Sequence, residues 1–259
     1  MPVRRGIATG ICIFIAGAAF AQSDEPAEFL AGRARKCVGC DLQGQDFRER
    51  DLKRVRLERA NLARSEFAGA TLFRANLQRA DFTDAKLTDV DLNKFDAKFA
   101  TFSGAAMQGA LLFEADLSAA NLSGADLSNA RLGKARLTQA DLRGAKLVGA
   151  DLRGARLAGV KFEGAIMQSA ILDNQNLRDA DMRGVDLTIA DMVEADLTGA
   201  NLAGAKLAGV NFYRANLHGA DLRNANLEGA NLEHAILTDA LLDGANFDAA
   251  IMPDGKRKE

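Results

Sequence analysis

A large apolar side chain returns at every fifth position from residue 42 to residue 252, with one exception at Ala97. The run holds 43 consecutive pentapeptides without insertion or deletion, and Ala stands two residues before the large residue in 32 of them. The residue between the two is commonly Asp or Asn, as in the stretch Ala-Asn-Leu-Ser-Gly-Ala-Asp-Leu-Ser-Asn over 120–129. A repeat this uninterrupted decides the architecture before any single residue does.

A period of five fits neither ordinary element. On a helix, five residues turn the chain by about 500°, so the large residues spiral around the axis and share no face. On a strand the side-chain period is two, so an odd step flips each large residue to the opposite side. A common core requires that each repeat hold a short extended piece, with Ala and the large residue both inward, followed by a turn. Gly recurs at the turn, as at Gly124, Gly144, Gly154 and Gly204, where it accepts unusual backbone angles at little cost.

The pattern closely resembles the pentapeptide repeat family, A-(D/N)-L-x-x, over about four-fifths of the chain. The resemblance implies an all-β solenoid, a right-handed quadrilateral β-helix in which four pentapeptides make one 20-residue coil. Sorting the central residues by position modulo 20 agrees with that number. Phe82, Phe102, Phe162 and Met182 fall on one side, and Phe47, Phe67, Met107, Met167 and Phe247 on the next. Met192, Phe212 and Met252 fall on a third side, and the fourth has neither Phe nor Met. About eleven coils at the ~4.8 Å strand spacing give a rod roughly 50 Å long. Pro2, Pro26 and Pro253 all lie outside the repeats, where no ladder N–H is lost. At Phe95-Asp96-Ala97 the large and small inward residues exchange places; the readings are a volume-compensated swap or a local bulge beside Phe99.

The chain divides into a signal peptide (1–21), an acidic linker (22–34), the repeat β-helix (35–252) and a C-terminal tail (253–259). Arg4 and Arg5 precede an apolar stretch over 7–20 that ends in Ala19-Phe20-Ala21, the pattern of a secretory signal with cleavage after Ala21. The run is short for a membrane span, so no transmembrane segment is expected after cleavage. A periplasmic or secreted location is the expectation. The tail ends in Lys256-Arg257-Lys258 and reads as frayed.

With Cys12 removed, Cys37 and Cys40 remain as Cys-Val-Gly-Cys, in phase with the inward slots of the first coil. Three readings stay open: a disulfide stapling that end in an oxidising compartment, two reduced packing cysteines, or a redox or metal role. No second C-x-x-C exists and the only histidines, His218 and His234, are far away, so no metal site and no cofactor are expected.

Charge is uneven along the rod. Residues 33–80 carry 12 Lys or Arg against 6 Asp or Glu, a net of +6, while residues 173–254 carry 5 against 14, a net of −9. A solenoid turns this gradient into a basic amino-terminal end and an acidic carboxy-terminal end, which suits head-to-tail self-association. One outward position repeats with Phe73, Phe113, Val193 and Tyr213 at multiples of 20 residues. Beside it stand Arg54, Arg74, Lys94, Lys134 and Arg214. Aromatic side chains among basic ones make a candidate partner-binding strip.

Catalytic constellations are absent. The many Asp residues follow from the repeat, so their proximity carries no acid–base signal, and no enzyme activity or small-molecule substrate is expected. The leading expectation is a rigid scaffold for an unknown protein partner. The alternative is an envelope spacer or a rod that assembles head to tail. The resemblance also brings in DNA-mimicking inhibitors of a topoisomerase, a reading disfavoured by the formal charge of only −4 once Arg4 and Arg5 are removed. A nucleic-acid partner is not expected either.

Overall fold

The computed structural model describes residues 26–259; the expected signal peptide, and residues 22–25 of the expected linker, lie outside the described residues. Parallel bridges join repeats 20 residues apart, from Lys36 with Arg56 to Asn231 with Ile251, with a single gap at Arg156 and Asn176. The chain is therefore a four-sided solenoid. Each side contributes one bridging residue, the Asp or Asn slot, rather than a continuous strand.

Backbone bonds run from each side to both neighbouring coils. The amide of the central residue donates to the next coil, as from Leu122 to the carbonyl of Asp141 at 2.8 Å. The bridging amide donates to the coil before, as from Asn121 to Ala100 at 2.9 Å. The corner is closed by the amide three residues after the central one, as from Ala125 back to Leu122 at 3.0 Å. The third residue of this four-residue turn has positive φ throughout, +66° at Gly124 and +59° at Asn129, the signature of a type II turn. Many corners carry a side chain there. Ile189 is the outlying case: β-branched, at φ +54° and 62% exposed.

The Asp or Asn of each repeat is explained by the same corner. Its side-chain oxygen accepts the amide two residues on, as in Ser128 to Asp126 Oδ1 at 3.1 Å and Thr198 to Asp196 Oδ1 at 3.1 Å. That bond serves an amide which the coil-to-coil ladder leaves free.

Inside, the central and Ala positions form one continuous core. The size columns inferred from the sequence stack directly: Phe82 on Phe102 with ring centroids 4.9 Å apart, and Phe47 on Phe67 at 5.0 Å. Phe95 and Ala97 are both buried and Asp96 keeps its bridges to Asn76 and Asp116, so the swap is accommodated without a bulge. Phe99 points outward, 56% exposed, with the Arg79 guanidinium 5.3 Å from its ring centroid.

The two ends differ from the sequence expectation. Residues 26–34, the described part of the expected linker, carry structure of their own. Pro26–Leu30 form a helical turn, α1, whose Phe29 is buried edge-on against Phe47 at 6.1 Å and covers the first coil. Arg50 donates to the carbonyl of Leu30 and ties the turn down. Cys37 and Cys40 are buried in that coil and bonded to each other. The C-terminal tail is not simply frayed: it doubles back, with Arg257 bridging Ile251 and Lys258 donating to Ala250 at 2.8 Å. Ile236, Leu241 and Leu242 of the last coil remain exposed.

Leu137→Ala removes a fully buried side chain between stacked layers and is expected to cost about 2–5 kcal/mol, whereas the outward Lys146→Ala changes stability by less than about 0.5 kcal/mol. Denaturant melts check the pair, and equal effects would contradict the inward and outward assignment. Ile189→Asn replaces a β-branched side chain at a left-handed corner and is expected to raise stability by about 0.5–1 kcal/mol in the same assay.

Candidate interaction face

The 20-residue register places Phe73, Phe113, Val193 and Tyr213 in a single outward column immediately after the central residues. Arg54, Arg74, Lys94, Lys134 and Arg214 occupy the adjoining corner column, all at positive φ. Arg74 stands 5.2 Å from the Phe73 ring centroid, Lys134 Nζ 5.6 Å from Phe113, and Arg214 5.1 Å from Tyr213. Each contact attracts a cation to a ring face.

The strip is not continuous. Its upper part holds Phe73 and Phe113 around Asn93, whose side-chain oxygen accepts the Phe113 amide at 2.8 Å. Phe113 is 39% exposed and its ring lies over Gly133, where an added Cβ would stand 3.4 Å from the ring. A shallow depression of about 300 Å³ lies here, lined by Asn93, Phe113 and Arg131 among others. The lower part holds Val193 and Tyr213, with His234 edge-on to the tyrosine at 5.6 Å. Lys94 and Arg214 are drawn to Glu114 at 3.3 Å and Glu194 at 3.5 Å, so the corner column is less basic than its Lys and Arg alone imply.

Between the two parts stand Arg153 and Asp173. Arg153 is held by Asp151 at 2.7 Å. Burial, and then the neighbouring Asp191 carboxylate, push the Asp173 carboxyl above the usual range, and its Oδ1 is buried without a partner. Several aspartates of the bridging slot shift the other way. The guanidinium two residues on holds Asp141, Asp151, Asp181 and Asp221 below the ordinary carboxylate range. These bonds shape the surface; they do not assemble an acid–base pair. His218 contacts the Thr238 carbonyl at 3.0 Å, on a different face from His234. No group of three or more metal-ligating side chains converges among the described residues.

Sequence reading passed over one position. Gln175 occupies an inward slot that elsewhere in the middle of the rod holds Ala, Val, Ser or the swapped Phe95, and it is only 3% exposed. Its departure from the small residue of the repeat was the available signal.

Fold and register together define a pentapeptide solenoid. The family model for pentapeptide repeats matches residues 51–118 and 120–254, and the chain belongs to that family. Among solved structures it is similar to HetL from the cyanobacterium Nostoc sp. strain PCC 7120, a pentapeptide repeat protein involved in heterocyst differentiation regulation. That match has 29% identity over 90% of this chain and 97% of that one, with a TM-score of 0.36. It is similar to Rfr23 from the cyanobacterium Cyanothece 51142 at 25% identity over 54% and 96% of the two chains, TM-score 0.33. QnrB1, a plasmid-mediated fluoroquinolone resistance protein, matches at 19% identity over 80% and 88%, TM-score 0.41. No curated protein matches.

The lowered aspartates fix a pH dependence. A carboxyl whose folded pKa lies below its unfolded value of about 3.9 stabilises the fold above that value, and the contribution is lost as pH falls through the folded pKa. The melting temperature is therefore expected to fall as pH drops from about 5 to 2. Replacing Arg143, Arg153, Arg183 and Arg223 with Gln is expected to flatten that fall, as thermal melts at stepped pH would show.

Proposed function

We propose that the protein is a non-enzymatic interaction scaffold that is exported to the periplasm or beyond, and that the aromatic–basic strip is its docking face. The observation that carries this is the alignment of Phe73, Phe113, Val193 and Tyr213 in one column, three of the four paired with a cation at 5.1–5.6 Å. Rings fixed on a rigid backbone lose little freedom on binding, which makes them effective anchors. The amino-terminal charge and apolar pattern supports export, and a bonded Cys37–Cys40 pair suits an oxidising compartment.

A second reading is a rod that assembles end to end. It draws support from the basic-to-acidic gradient and from the exposed Ile236, Leu241 and Leu242 at the carboxy-terminal end. Such a rod would serve as an envelope spacer without a side-on partner.

Replacing Phe73, Phe113 and Tyr213 with Ser is expected to shift the melting temperature by less than about 5 °C, since none fills an inward slot. The same variant should no longer retain the partner that the unaltered protein captures from periplasmic extract. Unchanged capture would remove the strip and favour end-to-end assembly, in which raising salt lowers the sedimenting mass. Cell fractionation tests export independently.

A further inference from the structure

The ladder between coils has one break. Among the described residues, every pair 20 apart from Lys36 to Ile251 is bridged except Arg156 with Asn176. One coil earlier the Leu137 amide reaches Arg156 at 2.9 Å, Gln139 reaches Ala158 at 2.9 Å and Arg156 reaches Ala135 at 2.8 Å. The corresponding amides of Leu157, Gly159 and Asn176 make no such bond, nor does that of Asp181. The two coils part here to leave an open cleft of about 730 Å³.

Gln175 accounts for the break. It lies in the column of Ala155 and Ala195, where the spacing of the coils is set for a methyl group. A longer side chain in a close-packed slot forces its neighbours apart. The bridge from Asn176 to Asp196 survives, so the separation is taken up on the Ala155 side. Ala180 is half-buried there, while nearly every other Ala of the mid-rod core is sealed.

The walls of the cleft have two chemistries. Ala155, Leu157, Val160 and Leu177 give an apolar interior, and Arg156 and Lys161 stand at the rim. Neither cation has an acidic partner within 4 Å among the described residues. The aspartates stacked beside Lys161 are already engaged, Asp141 with Arg143 at 2.6 Å and Asp181 with Arg183 at 2.7 Å. Arg178, also in the wall, is held by Asp196 at 3.2 Å, and Asp179 lies at the corner next to it. The unbonded amides of Leu157 and Gly159, which the regular ladder directs toward the next coil, add two donors close to Arg156. Two free cations and two free N–H groups beside an apolar slot match a carboxylate on an alkyl chain. The volume lies within the range of about 300–1,000 Å³ typical of small-ligand sites.

We infer that the cleft opened by Gln175 binds a long-chain carboxylate, with the chain between the parted coils and the head at Arg156 and Lys161. The site is independent of the aromatic–basic strip.

Dodecanoate and dodecyltrimethylammonium below their micelle concentrations, and dodecanol below its solubility limit, would be titrated calorimetrically into the full-length protein. Dodecanoate is expected to bind, dodecanol at least about ten-fold more weakly, and the cationic amphiphile not at all. Arg156→Gln with Lys161→Gln, both outward, is expected to weaken dodecanoate about ten-fold or more with an unchanged melting temperature. Amide hydrogen exchange should be fast at Leu157, Gly159, Asn176 and Asp181 in the free protein and slowed by dodecanoate. Gln175→Ala should close the ladder, protect those amides without ligand and remove binding. The inference is overturned if dodecanoate fails to bind, binds the double variant equally well, or protects amides elsewhere. If Gln175→Ala fails to fold, the double variant and the exchange pattern decide alone.

Discussion

Every side of the solenoid rests on one constraint: a backbone amide must find a carbonyl in the next coil. No side is long enough to be a strand in its own right, so no repeat can satisfy its polar backbone alone. The ladder couples residue to residue at a fixed step of 20 and so aligns the side chains as well. Inward, it stacks Phe82 on Phe102; outward, it puts Phe73 and Phe113 in one column. Core and surface are two readings of one register, as expected where each repeat contacts only its neighbours.

The corner is the second requirement. Turning the chain every five residues needs a left-handed residue at each corner, and the fold accepts Arg, Lys, Asp and Asn there as well as Gly. Asp or Asn before the central residue supplies the acceptor that the turn amide needs. Several of these carboxylates also hold an arginine two residues away, and so much of the charge is spent on local bonds. Arginines held in this way have their charge answered locally, whereas Arg156 and Lys161 are among the cations with no acid within 4 Å among the described residues.

The period, the inward slots and the columns of large residues were legible in the sequence because each is imposed by a five-residue rule that leaves no freedom. The ends were not. The cover provided by Phe29 depends on one ring meeting Phe47, and nothing in a short acidic segment announces that contact. The fold-back of Lys258 onto Ala250 is likewise set by one local pairing. The strip was legible as a column, and so was its interruption by Arg153 and Asp173 at the same offset; what spacing alone does not reveal is that Asp151 holds Arg153 and that Asp173 is part-buried. Gln175 was visible as a letter out of pattern, yet its consequence needed the coil spacing against which to measure it.

The ladder also makes the rod a kind of dial. Loss or gain of a single pentapeptide would keep every large residue inward, because the step of five is preserved. It would rotate all later side chains by a quarter turn about the axis relative to the earlier ones. Phe73 and Phe113 would then face one way and Val193 and Tyr213 another, with the core still packed. Whole faces of the molecule can thus be re-aimed by a change of length that leaves folding almost untouched, while a change of one residue would turn the core inside out.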